Sequence, residues 1–599
     1  EQVRGETLDA RTDVFSFGLV LYEAATGLPP FSGATSGVIS EAILNRTPRA
    51  VNEVNAAVPS GIEAVIAKAI EKDRQLRYQS IADLKADLER LARGLTPSAT
   101  VRAEPPAAKT LKRWLAAALL AIVAIAAGLS FVWRPFSASK TIDSLAVLPF
   151  SNASGNADAD YLSEGLAESL IDQLSRLRTL KVTSRGAAFR FKGRESDLTA
   201  IRHDLNVRAI VTGRVVLRGD SVSINAELVD ATDGHQVWGE HYNQKLSDVL
   251  SIQDEIAKRI ADSLGTQLSG DDERRMMKRN TNNAEAYQLY LKGMYHTAKF
   301  SKAEMDAGMA YFKQAIELDP GYALAYHGLA YHAALAEDWI VDAREVMPMA
   351  KDAAQKAIRI DDTLADAHAD LAFNYCTYEW NWAAGEQEIT RALQIDPANV
   401  YSKESEAWCR VPMGQMKQAI QALEEAVRKD ALSEEYVSLL GMFRYLDRQF
   451  DTAAEPIKKS IELEPNYWPG YSYLGHLYAR TKRYADAEAA FKKAIAIDAT
   501  VGEPVSGLGI TYALEGKTAD ARAIADRLQH WPTYVSAYNI ATVYTALGDR
   551  DAAFTWLNKA VDTRSWLLTW LNVDPDLDGL RADPRFATLV QRVGVAPTR

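Results

Sequence analysis

The chain has 599 residues, 47% of them hydrophobic and 25% charged. That is ordinary globular usage, and it excludes a wholly disordered, collagen-like or polytopic membrane protein; the length predicts about four structural units. With 68 basic against 79 acidic residues the net charge is −11, which argues against a general nucleic-acid binder, so no nucleic-acid partner is expected.

Two cysteines, Cys376 and Cys409, are too few for a disulfide framework or a four-cysteine zinc site. They are expected as small buried hydrophobes; a pairing between them stays open, with no pattern to support it. The chain begins with Glu rather than Met and shows no targeting segment, so it is expected to be a piece of something longer.

Residues 1–94 are predicted helical. In DVFSFGLVLYEAATG, apolar side chains at Val14, Phe17, Leu21 and Ala24 recur at helical spacing, and Gly27 supplies a stop. Two more amphipathic stretches follow, Gly61–Glu71 and Ser80–Leu91, the second with Ser80 as its cap. The stretch EQVRGETLDARTDVFSFGLVLYEAATGLPPFSG, with IAKAIEKDRQLRYQS after it, resembles the carboxy-terminal lobe of bacterial serine/threonine protein kinases.

The resemblance implies that Glu1 closes the activation-segment motif, that Asp13 holds the catalytic-loop backbone, and that Arg77 pairs with Glu1. One planar guanidinium satisfies both oxygens of a carboxylate. These are structural roles, and no catalytic residue is assigned. The phosphate loop, strand lysine, catalytic-loop aspartate and metal-binding aspartate that phosphoryl transfer needs precede this motif in the family. The chain alone is therefore expected to be inactive and to hold no cofactor, ATP and Mg belonging to the intact parent kinase. Two partial matches elsewhere are dismissed. Arg202-His203-Asp204-Leu205-Asn206 lacks the asparagine that a catalytic loop places five residues after its aspartate. Gly516-Lys517-Thr518 lacks the first glycine of a P-loop, Thr511 standing in its place.

A linker, residues 95–113, carries TPSAT and EPPAAK. Next, Trp114–Trp133 reads WLAAALLAIVAIAAGLSFVW, 20 residues without charge or proline. As a helix it spans about 30 Å, the thickness of a bilayer core. A single transmembrane helix is expected there. Four cations before it (Arg102, Lys109, Lys112, Arg113) against two after it (Arg134, Lys140) place residues 1–113 in the cytoplasm and 134–599 in the periplasm, anchored in the inner membrane.

From 141 to 268 the pattern alternates between strands and helices. LAVLPF is a short apolar strand, and YLSEGLAESLIDQLSRL an amphipathic helix. Hairpins are expected at Arg218-Gly219-Asp220 and Asp233-Gly234. AVLPF, ATDGHQVWGEHY and IQDEIAKRIADSL together resemble the TolB-like domain, which implies a compact α/β spacer or sensing unit. His235, Glu240 and His241 are not expected to bind metal, being spread along one strand.

Residues 280–595 are dominated by a 34-residue register that starts at Val400, Glu434, Trp468 and Gly502. Small residues at positions 8, 20 and 27 of each copy let two helices approach, large ones at 4, 7, 11 and 24 fill the seam, and prolines in IELDP and IELEP end the second helix. This resembles the tetratricopeptide repeat (TPR) family, with about eight copies stacked into an all-α superhelix. The resemblance implies a peptide groove on the first-helix face. Its candidates here are Glu435, Met442, Tyr445, His476, Ile510 and Tyr538, and its partners are protein or peptide ligands.

The whole reads as a multidomain chain: partial kinase lobe, membrane helix, small α/β domain and TPR superhelix. It is expected to belong to a membrane-anchored kinase that phosphorylates protein substrates and senses peptides through its repeats. The alternative is a non-enzymatic membrane scaffold.

Overall fold

The computed structural model describes residues 10–31, most of 42–91, and 142–596 apart from 157, 158, 178, 266–268 and 300. The chain divides into two compact units, Glu1–Phe136 and Ser137–Arg599.

In the first unit, helix α1 (Ala10–Thr26) and helix α3 (Ser60–Ala69) meet, with the short α2 (Val51–Val54) beside them. A Cβ on Gly18 would sit 2.8 Å from the Cβ of Ala69, so the crossing requires glycine there. Tyr22 donates its hydroxyl to the carbonyl of Arg49 at 2.8 Å, and Asn55 ties to the carbonyl of Ala25 at 2.8 Å. Arg77 is buried; its guanidinium donates to the carbonyls of Arg11 and Glu71 and lies over the Phe15 ring. Glu1, its expected partner, lies outside the described residues, as does the side chain of Asp13.

The expected membrane helix 114–133 and the linker before it also lie outside the described residues. Among the described residues no helix is long and apolar enough to cross a membrane. The fold class with a single span, the inner-membrane location and the membrane as a partner are therefore withdrawn. The reason is visible in the longest helices. The 18-residue helix Ala343–Ile360 buries Val346, Met347, Ala350, Ala353, Ala354 and Ala357 on one face, but carries Arg344, Glu345, Lys351, Asp352, Lys356 and Arg359 elsewhere. Its polar face would strand charges in hydrocarbon.

The second unit opens with an α/β layer. Strands β1 (Ser144–Val147), β2 (Ser151–Asn152), β3 (Lys181–Val182), β4 (Ala209–Arg218), β5 (Ser221–Asp230) and β6 (Gln236–Lys245) form one mixed sheet in the order β3-β1-β4-β5-β6, with β2 also on β4. β1 runs parallel to β3 and β4, while β4, β5 and β6 are antiparallel. The β4–β5 link is Gly219-Asp220, and Gly219 sits at φ 56°, the left-handed conformation that a two-residue hairpin asks of its first loop residue. Helices α4 (Asp160–Ser175) and α7 (Val249–Ser263) cover the sheet. Between them in the chain come the short α5 (Arg185–Phe189) and α6 (Leu198–Leu205); α8 (Gly270–Met276) leads on.

The rest is helical pairs. First helices are α9 (Ala284–Thr297), α11 (Ala323–Ala336), α13 (Ala365–Asn374), α15 (Val400–Arg410), α17 (Glu434–Leu446), α19 (Trp468–Arg480), α21 (Glu503–Glu515) and α23 (Ala537–Ala546). Their partners are α10 (Lys302–Leu318), α12 (Ala343–Ile360), α14 (Trp382–Ile395), α16 (Met416–Lys429), α18 (Phe450–Leu463), α20 (Tyr484–Ile497), α22 (Thr518–Gln529) and α24 (Arg550–Asp562). The 34-residue register marks the starts of α15, α17 and α19 to the residue. Small residues do the expected work: a Cβ on Gly475 would lie 2.7 Å from the Phe491 ring, and one on Gly441 would strike Ile457.

Two features differ from expectation or go beyond it. Cys376 and Cys409 are joined in a disulfide, correcting their reading as separate small hydrophobes. α13 runs into a π turn, Tyr375–Glu379, that brings Cys376 against α15. The wider turn is the kind of helix defect that repositions a side chain. Beyond α24 the chain folds back as two 3₁₀ turns, Trp566–Trp570 and Pro575–Leu580, before α25 (Pro584–Val593). Trp566 packs edge-on against Trp408 at 5.1 Å and lies 5.6 Å from Trp339, while Trp570 stacks on Trp408 at 5.9 Å. The returning segment thus fills part of the first-helix face of the superhelix.

Candidate functional site: the inner face of the repeat array

The returning segment and the first helices enclose a recess of about 580 Å³ that opens to solvent. Met442, Tyr445, His476 and Tyr538, four of the groove residues expected from register, line it with Trp339 and Trp570. Most of these side chains are nonetheless buried, because the carboxy-terminal turns cover them. Ile510 is buried among Ala479, Phe491 and Val543 and does not line the recess. Glu435 lies further along the same face, half-buried.

An ion cluster holds the recess wall. His476 bonds Glu503 at 2.9 Å through Nε2 and Asp576 at 3.1 Å through Nδ1. Arg480 reaches Asp576 at 2.8 Å, and Ser472 donates to Glu503. Burial opposes a charged imidazole, but the hydrogen bonds to Asp576 and Glu503 outweigh it and push His476 up to about 10. Burial also opposes ionisation of Asp576, yet the Arg480 charge and the His476 hydrogen bond hold it down at about 2. Asp574 is pushed up to about 6 by burial and the neighbouring Asp576 charge; Tyr538 donates to it at 2.6 Å. The indole N–H of Trp570, only 8% exposed, has no hydrogen-bond partner.

Toward the α/β layer the face changes character. Tyr331 and Tyr401 meet edge to face at 4.9 Å, and Tyr436 and Tyr473 are half-buried beyond them. Asp370 accepts from His327 Nδ1 at 2.7 Å and from the Tyr401 hydroxyl at 2.8 Å. Burial works against His327⁺, but the Asp370 charge prevails and raises it to about 9. Glu404 is 7% exposed; one of its oxygens accepts from the Trp408 indole at 3.2 Å and the other has no partner. Burial pushes Glu404 up to about 7, and burial together with the Glu404 charge holds Glu435 well above the ordinary carboxylate range. Sequence reasoning named Glu435 but missed Glu404, Tyr331 and Tyr401. Counting from Val400 puts Tyr401 and Glu404 at positions 2 and 5 of their copy, which was signal enough.

Where the α/β layer meets the array, a second recess of about 460 Å³ is lined by polar side chains that mostly bond one another. Tyr287 bonds Ser169 at 2.7 Å and Gln253 at 2.6 Å, and Gln173 bonds Asp254 at 2.8 Å. This is a joint between layers. Asp230, Asp233 and His235 gather at the β5–β6 turn. Their hydrogen bonds are those of the turn itself, with Asp233 accepting from both the backbone and the ring of His235. His241 faces Ser223 across the strands. The dismissed partial motifs have ordinary places: His203 is exposed on α6, and Gly516, at φ 90°, ends α21.

Residues 139–259 match the family described as HilA/YgeH-like transcriptional regulator, second domain. Residues 468–500 and 534–565 match tetratricopeptide repeat families. A putative adenylate cyclase 3 of Rhizobium meliloti is 30% identical over 231 residues, covering 38% of this chain and 39% of that protein. The serine/threonine-protein kinase PknB of Mycolicibacterium smegmatis is 42% identical over 99 residues, 16% of each chain. The chain therefore spans well under half the length of the curated relatives it matches. Among solved structures, a tetratricopeptide repeat protein from Parabacteroides merdae is similar over 45% of this chain with 14% identity and a TM-score of 0.32. IFIT1 is similar over 57% with 14% identity and a TM-score of 0.38. The repeat architecture is thus supported both by families and by the helix pairs themselves, and the kinase likeness is partial.

Proposed function

We propose that the repeat array is a protein-binding module that takes up peptide segments along its inner face, and that it works as part of a serine/threonine protein kinase. The observation that carries the binding reading is the inner face itself. Half-buried tyrosines and a carboxylate with a free oxygen line the first helices, in a fold whose repeats supply no reacting group. Tyrosine offers large contact area with a polar tip and few rotors to freeze, which suits recognition.

The kinase part of the reading is supported by the likeness of one sixth of the chain to PknB proteins. Residues 1–599 do not contain the phosphate loop or catalytic aspartate, so phosphate transfer from ATP with Mg would belong to a larger polypeptide. The other reading, a scaffold that joins partners without chemistry, needs only the array.

Screening a display library of random dodecapeptides against the full chain tests the binding part. Recovery of a related set of sequences whose binding is lost in Tyr436→Ala supports it. Recovery of none, or binding indifferent to that change, removes it. Reading the coding sequence upstream of Glu1 tests the kinase part: absence of a strand lysine and catalytic-loop aspartate there would leave the scaffold.

A further inference from the structure

Resting on the protein-binding reading above, we infer that the inner face around Glu404 and Glu435 receives a cationic side chain, a lysine or arginine of a basic peptide. The first observation is a buried carboxyl oxygen without a partner. Neighbouring carboxylates of this face are matched within the chain, Asp370 by His327 and Glu503 by His476. Glu404 is not. It is buried, one oxygen takes the Trp408 indole hydrogen, and the other oxygen has no partner.

A buried carboxylate left in this way is costly, and a second one nearby compounds it. Glu435 is that second one, on the adjacent first helix, close enough for the Glu404 charge to bear on it. The nearest cations on the same helix face elsewhere: Lys403 bonds Glu406 and Glu425, and Arg410 bonds Glu386 and Glu406.

The second observation is the ring set. Tyr331, Tyr436 and Tyr473 all lie within the electrostatic reach of Glu404 and Glu435, and Tyr401 packs against Tyr331. All four rings are half-buried, so part of each remains open to a ligand. Two carboxyl groups set among four aromatic rings suit an ammonium or guanidinium, through charge-assisted hydrogen bonds and cation–π contact. A neutral peptide would leave the carboxylates unmatched, and an acidic one would add repulsion. Charge complementarity therefore selects the basic partner.

The test is fluorescence anisotropy on the full chain with labelled penta-lysine, its fully acetylated form and penta-glutamate, at physiological salt. The variants are Glu404→Gln, Glu435→Gln and, as a charge-matched surface control, Glu462→Gln. The expected result is binding of penta-lysine at least tenfold tighter than of the acetylated form, weakened at least tenfold by Glu435→Gln or Glu404→Gln and unchanged by Glu462→Gln. Far-UV circular dichroism checks that the variants fold, and the half-buried Glu435 keeps the test valid if Glu404→Gln does not. Equal binding of penta-lysine and its acetylated form overturns the proposal, as does indifference to Glu435→Gln. If display peptides without basic residues still bind in a Tyr436-dependent way, the cation proposal fails while protein binding stands. If no peptide binds at all, both fail.

Discussion

Asp338 accepts a hydrogen bond from the hydroxyl of Ser565, 227 positions along the chain. The same carboxylate accepts from the Trp566 backbone N–H at 2.9 Å and from the Tyr534 hydroxyl at 2.6 Å. Asp338 sits just after α11, near the start of the array, and its partners sit at the end, so one buried side chain fastens the returning segment across the superhelix. Burial pushes Asp338 up to about 6 despite these three donors. Asp338→Ala strips all three of their acceptor, and unpaired buried donors cost about 1–3 kcal/mol each. A loss of about 3 kcal/mol is expected by urea unfolding, with Asp338→Asn losing less.

The tryptophans of that segment give a second expectation. Trp566 is buried against Trp339, Trp408 and Trp570. Trp566→Ala should cost about 3–5 kcal/mol, the range for large aromatic truncations. The indole environment should also change, visible as a red-shifted tryptophan fluorescence maximum. An unchanged melting curve would mean that the segment does not pack on the array.

The ion cluster makes stability depend on pH. His476 has its folded value raised to about 10 and His327 to about 9, both above the unfolded 6.5. Their contribution is fully present below pH 6.5 and is lost as pH rises through 9 and 10. Stability should therefore fall between pH 7 and 10, by about 2–4 kcal/mol for each of the two histidines, read from thermal melts. His476→Gln should flatten that slope while lowering stability at pH 7.

The disulfide gives the fourth. Closing a loop of sequence separation 33 restricts the unfolded chain by about 3–4 kcal/mol in the loop-entropy account. The double variant Cys376→Ser, Cys409→Ser should melt several degrees lower than wild type, and reductant should shift wild type toward it. Free-thiol titration of the unfolded, unreduced protein should find no reactive cysteine.

Much of the architecture was legible because helix pairs repeat their demands. Gly475 facing Phe491, and Gly441 facing Ile457, follow from the spacing of small and large residues alone. The Gly219 turn was legible for the same reason, since a two-residue hairpin needs its left-handed residue. The returning segment was not. WLLTW after Ser565 has neither helical nor alternating period, and what it packs on lies up to 230 residues away, beyond any local pattern. The Cys376–Cys409 bridge was missed because the π turn that brings Cys376 toward α15 has no sequence signature. The span expected at 114–133 rested on the length of an uncharged apolar run and its flanking cations, and none of the described helices supports it. Of the groove residues, register placed the backbone positions well, but could not show that Met442, Tyr445 and Tyr538 are covered by the chain's own end.

The most direct measurement of the account is hydrogen–deuterium exchange on the full chain, with and without a peptide recovered from the display screen. Slower exchange is expected in the first helices Ala323–Ala336, Val400–Arg410 and Glu434–Leu446, with the outer helices Ala343–Ile360 and Met416–Lys429 unchanged. Protection confined to the outer helices, or to the α/β layer, would contradict an inner face that binds.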